Sequence, residues 1–423
     1  MKNVKKNALL ISLKNDVSEI EQLAESVDYS VLKNFFQHRS NPDVRYFVGF
    51  GKVEEIKSFI EDYDKKIDAI IVNAELKPSQ WFNLEKKLDV HVVDRIRLIL
   101  SIFGDRAERK EAKLQVKLAE LQYERPYVRE LIHRARSGEH PGLMAGGEYQ
   151  VDYYYEMIKK QIKKIKKDLE KIRAERALRR RHRHHSGFYL VSLAGYTNAG
   201  KSSLLNLLAD EQIKVEGRLF STLSTTTRRI EYKNLPVLIT DTVGFIQNLP
   251  AWVIDAFHST LEEIEVADVI LLVVDSSEKI SSIESKIQVS IKELNELGVT
   301  SPVILVLNKI DMLEPSQIDE RLKHIERMEL EHIKKLAPVS VKNNQNIDAL
   351  IRILYKSLPN IVKFKIKLPI NESSQAFVSW IYTKANVTNI YYDKNINLSI
   401  ECSLNIKNQI LSKCKDLLGN CVS

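Results

Sequence analysis

Short apolar runs alternate with helical stripes along most of the chain. Ala8–Leu13 predicts a strand and Val17–Val27 a helix, and Tyr46–Val48 and Ala69–Val72 predict further strands with a helix at Val53–Ile60 between them. From Arg106 to Tyr123 the apolar positions Leu114, Leu118 and Leu121 step by four and three, a helical stripe expected to halt near Pro126. A second helix is predicted from Val151 to about Arg181. Its stripe of Ile158, Ile162, Ile165, Leu169 and Ile172 has the 4, 3, 4, 3 spacing of a coiled-coil seam. The glycine-rich stretch from Gly138 to Glu148 lies between them, so the two read as an antiparallel hairpin with a loop at its tip. From Tyr189 to Leu358 strands and helices alternate, the pattern of a parallel sheet with crossover helices. The strands are Tyr189–Ala194, Val237–Thr240, Val269–Val274, Val303–Leu307 and Pro338–Val341. The last segment, from Lys365, holds two apolar stretches with a helix between them. The fold class expected is thus α/β and multidomain. It comprises an N-terminal α/β domain (1–105), a helical hairpin with basic linker (106–186), an α/β domain with a parallel-type sheet (187–360) and a small α+β domain (361–423).

Composition adds exclusions. With 423 residues, 44% hydrophobic and 28% charged, and only 14 Gly and 11 Pro, collagen-like, low-complexity and mostly disordered classes are excluded. The longest central apolar run, Val269–Val274, is far short of the ~20 residues of a membrane-spanning helix. Lys2, Lys5 and Lys6 precede Ala8–Leu13, but Ser12 interrupts that run and no small-residue cleavage site follows, so a buried strand and a cytoplasmic protein are expected. Cys402, Cys414 and Cys421 form no CxxC pair and read as free thiols.

The net charge of +8 is concentrated in one place. Lys159–His185 carries thirteen Lys or Arg against three acids, which leaves the rest of the chain slightly acidic. Arg179, Arg180, Arg181 and Arg183, interspersed with His182, His184 and His185, suit a phosphate backbone. The arginines would repel a metal ion from those histidines.

Strand Tyr189–Ala194 runs into Gly195, Tyr196, Thr197, Asn198, Ala199, Gly200, Lys201 and Ser202, which is GxxxxGK[ST] in the strand-loop-helix setting that the motif requires. Backbone N–H groups there face phosphates, Lys201 neutralises β- and γ-phosphate charge, and Ser202 ligates Mg²⁺. Asp241, Thr242, Val243 and Gly244 follow a strand, offering a carboxylate to the Mg²⁺ shell through water and an N–H to the γ-phosphate. Asn308, Lys309, Ile310 and Asp311 end the next strand but one. The Asp311 carboxylate can accept both N–H groups of a guanine edge, which adenine would leave unpaired. Ser340, Val341 and Lys342 can present a backbone N–H to the guanine oxygen. The set predicts GTP, and Lys201, Gly244 and a switch threonine as the groups at the reacting phosphate. Thr222, Thr225, Thr226 and Thr227 all stand where that threonine belongs. Phe245 occupies the position where many regulatory GTPases carry a water-orienting Gln, so intrinsic hydrolysis should be slow; Phe245 can also simply pack beneath the switch.

These strings resemble the HflX family of ribosome-associated GTPases, together with Phe220-Ser-Thr-Leu-Ser224, Gly49-Phe-Gly-Lys-Val-Glu-Glu55, Pro78-Ser-Gln-Trp-Phe-Asn-Leu-Glu85, Val93-Asp-Arg95 and Lys113-Leu-Gln-Val-Lys-Leu-Ala119. The resemblance implies that Phe220, Ser221, Thr222, Leu223 and Ser224 line the nucleotide and that Thr222 joins Ser202 on Mg²⁺. The family's Asp-Pro-Thr stands here as Ser224-Thr225-Thr226, which keeps Thr225 as a rival, and the hairpin tip departs from the family's Gly-Pro-Gly-Glu-Thr-Gln-Leu-Glu. It further implies a monomer that binds GTP or GDP, contacts rRNA of the large ribosomal subunit and serves in ribosome rescue, splitting or biogenesis. A GTP-dependent RNA-binding or RNA-remodelling protein acting off the ribosome is the alternative.

Overall fold

In the computed structural model the described residues are 5–107, 109–136, 147–185, 188–209, 226–232, 235–242, 244–245, 250, 252–253, 263–328, 330, 332–417 and 420–422. They form two units. The first extends to Ile172 and takes in Pro250, Trp252 and Val253; the second holds the other described residues from Arg173 onward.

The first unit is built on a four-stranded, all-parallel sheet of order β2-β1-β3-β4, with β1 Lys6–Ser12, β2 Tyr29–Phe36, β3 Ala69–Val72 and β4 Val92–Asp94. Ala8–Ile11 and Ala69–Val72 are buried throughout, as parallel strands between helical layers must be. Helices α1 Ser18–Ser26, α2 Phe50–Asp62, α3 Pro78–Leu88 and α4 Arg95–Arg106 complete it. Asp94 starts α4 by accepting from the Arg97 and Leu76 backbone N–H groups at 2.8 and 2.9 Å. Two expectations are corrected. Tyr46–Val48 is a turn, closed by the Asp43–Phe47 bridge with Phe47 at φ 70°, so its apolar side chains fill the core from a loop. The strand beside β1 is Tyr29–Phe36, whose mixed polarity at the sheet edge concealed it.

Helices α5 Lys110–Arg136 and α6 Gly147–His185 form the hairpin. The expected halt at Pro126 does not occur. Pro126 lacks an N–H and its ring crowds the Gln122 carbonyl. Beyond it, however, Val128 and Ile132 join Leu118 and Leu121 against Ile158, Ile162 and Ile165, and burying that seam outweighs one lost hydrogen bond. The 39 residues of α6 run past both predicted ends and span roughly 58 Å at 1.5 Å per residue. The tip, 137–146, lies outside the described residues.

The second unit contains a six-stranded sheet of order β10-β9-β8-β5-β7-β6, from β5 Tyr189–Ala194, β6 Thr226–Tyr232, β7 Leu235–Asp241, β8 Val269–Asp275, β9 Val303–Asn308 and β10 Ile333–Pro338. All pairs are parallel except β6 with β7. The parallel-type sheet therefore carries one antiparallel edge strand, Arg-bearing and unforeseen. Helices α7 Lys201–Leu208, α8 Ile280–Glu296, α9 Pro315–Glu326 and α10 Ile347–Ser357 flank it. Because β7 and β8 lie on opposite sides of β5, the chain changes direction at the C-terminal end of β5, where α/β sheets open a crevice. Residues from Ile361 onward form β11 Ile361–Leu368, α11 Glu372–Tyr382, β12 Asn386–Tyr392, β13 Ile396–Ser403, α12 Leu404–Asp416 and β14 Asn420–Val422, in an antiparallel sheet of order β12-β13-β11-β14. This is a split βαβ arrangement with two more strands than the two apolar stretches suggested.

The hairpin seam gives a test. Ile158 is fully buried, so Ile158→Ala is expected to cost ~2–5 kcal/mol and Ile158→Val ~0.5–1.5 kcal/mol in urea melts followed by helical circular dichroism. Equal midpoints for the two variants would contradict this packing.

Candidate nucleotide-binding site

The site grows from the C-terminal ends of β5, β7 and β9. Strand β5 is buried along its whole length, so the chain leaves it at a fixed point and turns through Gly195–Gly200 into α7. Gly200 has φ +97°, and a Cβ there would lie 2.2 Å from Asn308 Nδ2, so the turn admits no side chain. Lys201 opens α7 and is buried; its Nζ donates to the carbonyls of Gly195 and Tyr196 at 2.9 and 2.8 Å. Burial pushes this ammonium down, against the pull of the Asp241 carboxylate, to about 8. The next residue, Ser202, donates from Oγ to Asp241 Oδ2 at 2.6 Å, so one hydroxyl and one buried carboxylate from different elements meet at the loop.

Thr242 donates to the Leu193 carbonyl at 2.7 Å and is buried. A Cβ on Gly244 would come within 2.8 Å of Lys201 Nζ, which is why the backbone there can approach the loop so closely. Phe245 is buried, donates its N–H to the Gly195 carbonyl at 3.0 Å and sets its ring edge-on to Tyr196 at 6.5 Å. It packs under the loop, and its ring has no polar atom to offer a water.

On the other side Asn308 is the joint. Its Nδ2 donates to the Ala199 carbonyl at 2.9 Å and its Oδ1 accepts from the Val341 N–H at 3.1 Å, so one buried amide holds the phosphate loop and the Ser340–Lys342 loop together. Ser340 donates from Oγ to Asp311 Oδ1 at 2.6 Å, and Ile310 is buried against this loop, its N–H on the Val339 carbonyl. Lys309 sits at φ 67° with Nζ 2.6 Å from Asp275 Oδ2. Burial would raise the Asp275 carboxyl, but hydrogen bonds from Lys309 and Ser277 outweigh it and hold the group below its ordinary value. Asp275 and its neighbour Ser276, which donates to the Asn308 carbonyl, escaped sequence reasoning. The available signal was that Asp275 ends β8 as Asp241 ends β7.

Thr197 is half-buried, and Asn198 and Lys342 are exposed at the margins. Phe220, Ser221, Thr222, Leu223, Ser224, Thr225 and Val243 lie outside the described residues. Thr226 and Thr227 are built into β6, and the Thr227 hydroxyl lies 3.0 Å from that of Thr240. Helix α6 runs through Arg179–His185, whose side chains are outside the described set. Among the described residues no cluster of three or more His, Cys, Asp or Glu could hold a metal, and no helix is long and apolar enough to cross a membrane. The hard oxygens of Ser202 and Asp241 fit a Mg²⁺ site completed by phosphate and water.

Three family models match the chain: "GTP-binding GTPase N-terminal" over residues 14–104, "GTP-binding GTPase Middle Region" over 106–183 and "50S ribosome-binding GTPase" over 190–309. GTPase HflX of Thermococcus kodakarensis is 42% identical over 388 residues, covering 90% of this chain and 87% of its own. GTPase HflX of Methanocaldococcus jannaschii is 41% identical over 345 residues, covering 82% and 83%. The crystal structure of SsGBP in complex with GDP is similar with a TM-score of 0.51 at 28% identity, over 83% of this chain and 98% of that one.

The buried Lys201 makes stability depend on pH in a defined direction. The unfolded chain keeps this proton to about 10.5 and the nucleotide-free fold releases it near 8. Between those values the unfolded state binds more protons, so raising pH favours folding. Relative to Lys201→Met, the wild-type protein without nucleotide is expected to gain up to about 3 kcal/mol from pH 8 to 10.5. Parallel urea melts of the two proteins across that range check it, and a constant difference would refute the buried-charge account.

Proposed function

The chain belongs to the HflX family of GTPases and hydrolyses GTP to GDP and phosphate, and from that premise we propose that it is a cytoplasmic factor of the large ribosomal subunit or whole ribosome, engaging rRNA when GTP is bound. The observation that carries this reading is the joining, in one chain, of a guanine-nucleotide site to a helical hairpin whose second helix ends in a dense basic segment, Lys159–His185. A nucleotide switch supplies two states, and the basic arm supplies an electrostatic hold on phosphate backbones. The match of residues 190–309 to 50S ribosome-binding GTPases supports the same partner.

In this reading the residues divide the work as follows. Asp311, oriented by Ser340, accepts the guanine N–H groups, and the Val341 region, fixed by Asn308, offers a backbone N–H to the guanine oxygen. Lys201 leaves its two loop carbonyls for phosphate oxygens. Ser202, Thr222 and Asp241 would hold Mg²⁺, which would neutralise charge developing on the β- and γ-phosphates. Gly244 offers its N–H to the γ-phosphate, with no side chain in the way. Phe245 supplies no polar group to the attacking water, so the site hydrolyses slowly until a partner completes it.

Replacing Asp311 by Asn substitutes a donor for an acceptor, so Asp311→Asn should bind GTP at least about tenfold more weakly, since a charge-assisted pair contributes ~1.5–3 kcal/mol, and should prefer xanthosine triphosphate. Competition of the two nucleotides against a fluorescent GDP analogue reads this directly. The partner is tested by GTP turnover with purified large subunits, intact ribosomes or protein-free rRNA. Stimulation of ten-fold or more by the subunits, with rRNA inert, is the expected result. Equal stimulation by free RNA would favour the off-ribosome reading instead.

A further inference from the structure

Among the described residues, helices cover one face only of the sheet formed by β11–β14. On the covered face Phe364, Ile366 and Leu368 of β11 stand opposite Ile400, Leu398 and Ile396 of β13, all buried. On the other face the register sets Lys363 opposite Glu401, Lys365 opposite Ser399 and Lys367 opposite Asn397, and Tyr391 of the edge strand β12 lies across from the same Asn397. The three lysines, all exposed, recur about 7 Å apart along one central strand. Lys363 is paired with Glu401 at 2.7 Å, whereas Lys365 and Lys367 have no carboxylate partner within ion-pair distance among the described residues. Tyr391 is 64% exposed. The segment 361–423 holds eight Lys and four acids, and three of those Lys stand in a row on this face.

We propose that this open face is a docking surface for single-stranded RNA. Lys365 and Lys367 would hold successive phosphates and Tyr391 would stack one base, while Asn397 and Ser399 give the strand between them a neutral, hydrogen-bonding floor. Charge complementarity selects a polyanion, and an exposed ring beside a row of unpaired cations selects one that carries bases. Because the two central strands present lysines and small polar residues rather than aromatic rings, the face grips backbone and reads little sequence. The proposal rests on the rRNA reading above for its biological ligand, but its geometry belongs to the C-terminal sheet alone.

The test uses the full chain and a fluorescein-labelled 12-nucleotide oligouridylate, with anisotropy titrations from about 50 to 200 mM salt, and ribosome co-sedimentation in parallel. Replacing both Lys365 and Lys367 by Gln should lower the slope of log K against log salt by about 1.4, since each phosphate contact on a single strand contributes ~0.7. Tyr391→Ala should weaken binding about tenfold at every salt concentration and leave the slope unchanged. Lys413→Gln with Lys415→Gln removes the same charge from α12, in the helical layer, and should change neither. Circular dichroism melts equal to wild type show that the sheet is intact in all variants, and equal unstimulated GTP hydrolysis shows that the nucleotide site is. An unchanged slope for the sheet pair, or equal losses from sheet and helix pairs, overturns the proposal. So does loss of ribosome binding with oligouridylate binding intact, which would assign the face to an acidic protein. If the wild type binds oligouridylate through this face but never sediments with ribosomes, the ribosomal reading fails and the RNA surface stands.

Discussion

The side-chain amide of Asn308 is the joint on which the nucleotide site depends. It ends a buried central strand, and its two polar atoms are committed in opposite directions, to the phosphate loop through the Ala199 carbonyl and to the Ser340–Lys342 loop through the Val341 N–H. A buried amide with both ends satisfied fixes geometry well, because any displacement leaves a polar atom unpaired in a low-dielectric place. It also explains why Gly200 must be Gly: the space a Cβ would need is occupied by that amide. Guanine and phosphate recognition are thereby built as one object, although their residues lie about a hundred positions apart in the chain.

Around that joint the site stores a second constraint. Lys201 is buried in a loop whose own carbonyls serve as its partners. Those carbonyls hold the ammonium less well than phosphate oxygens would, since a buried cation is stabilised far better by a full negative charge than by two dipoles. A phosphate oxygen at Lys201 would therefore relieve an electrostatic cost that two carbonyl dipoles leave. Phe245 and Tyr196 pack beneath this arrangement and give it a rigid apolar base.

The three sheets illustrate how burial decides what a surface can do. The buried inner strands of the first two sheets are enclosed by helices, so their chemistry is confined to strand ends, where Asp94, Asp241, Asp275 and Asn308 all sit. The C-terminal antiparallel sheet has one uncovered face, and there the chemistry spreads along the strand, as the lysines of β11 do.

Contiguous motifs were legible from the chain itself. The phosphate loop, Asp241–Gly244 and Asn308–Asp311 each lie within a few residues at a strand end, so local order alone fixes their backbone geometry, and the heptad-like seam of α5 and α6 is a periodicity that burial enforces. Tertiary structure decided what depends on partners distant in sequence. Pro126 interrupts a helix by local rules, but the seam it shares with Ile158 and Ile162 carries the helix through. Tyr46–Val48 has a strand's composition, yet a left-handed Phe47 closes it as a turn. The Lys309–Asp275 pair joins two neighbouring strand ends, and the open face of Lys363, Lys365, Lys367 and Tyr391 exists only once β12, β13 and β11 lie side by side in register. Sequence determines which residues alternate along each strand; only pairing in space determines which alternate faces become one surface and which of them the helices cover.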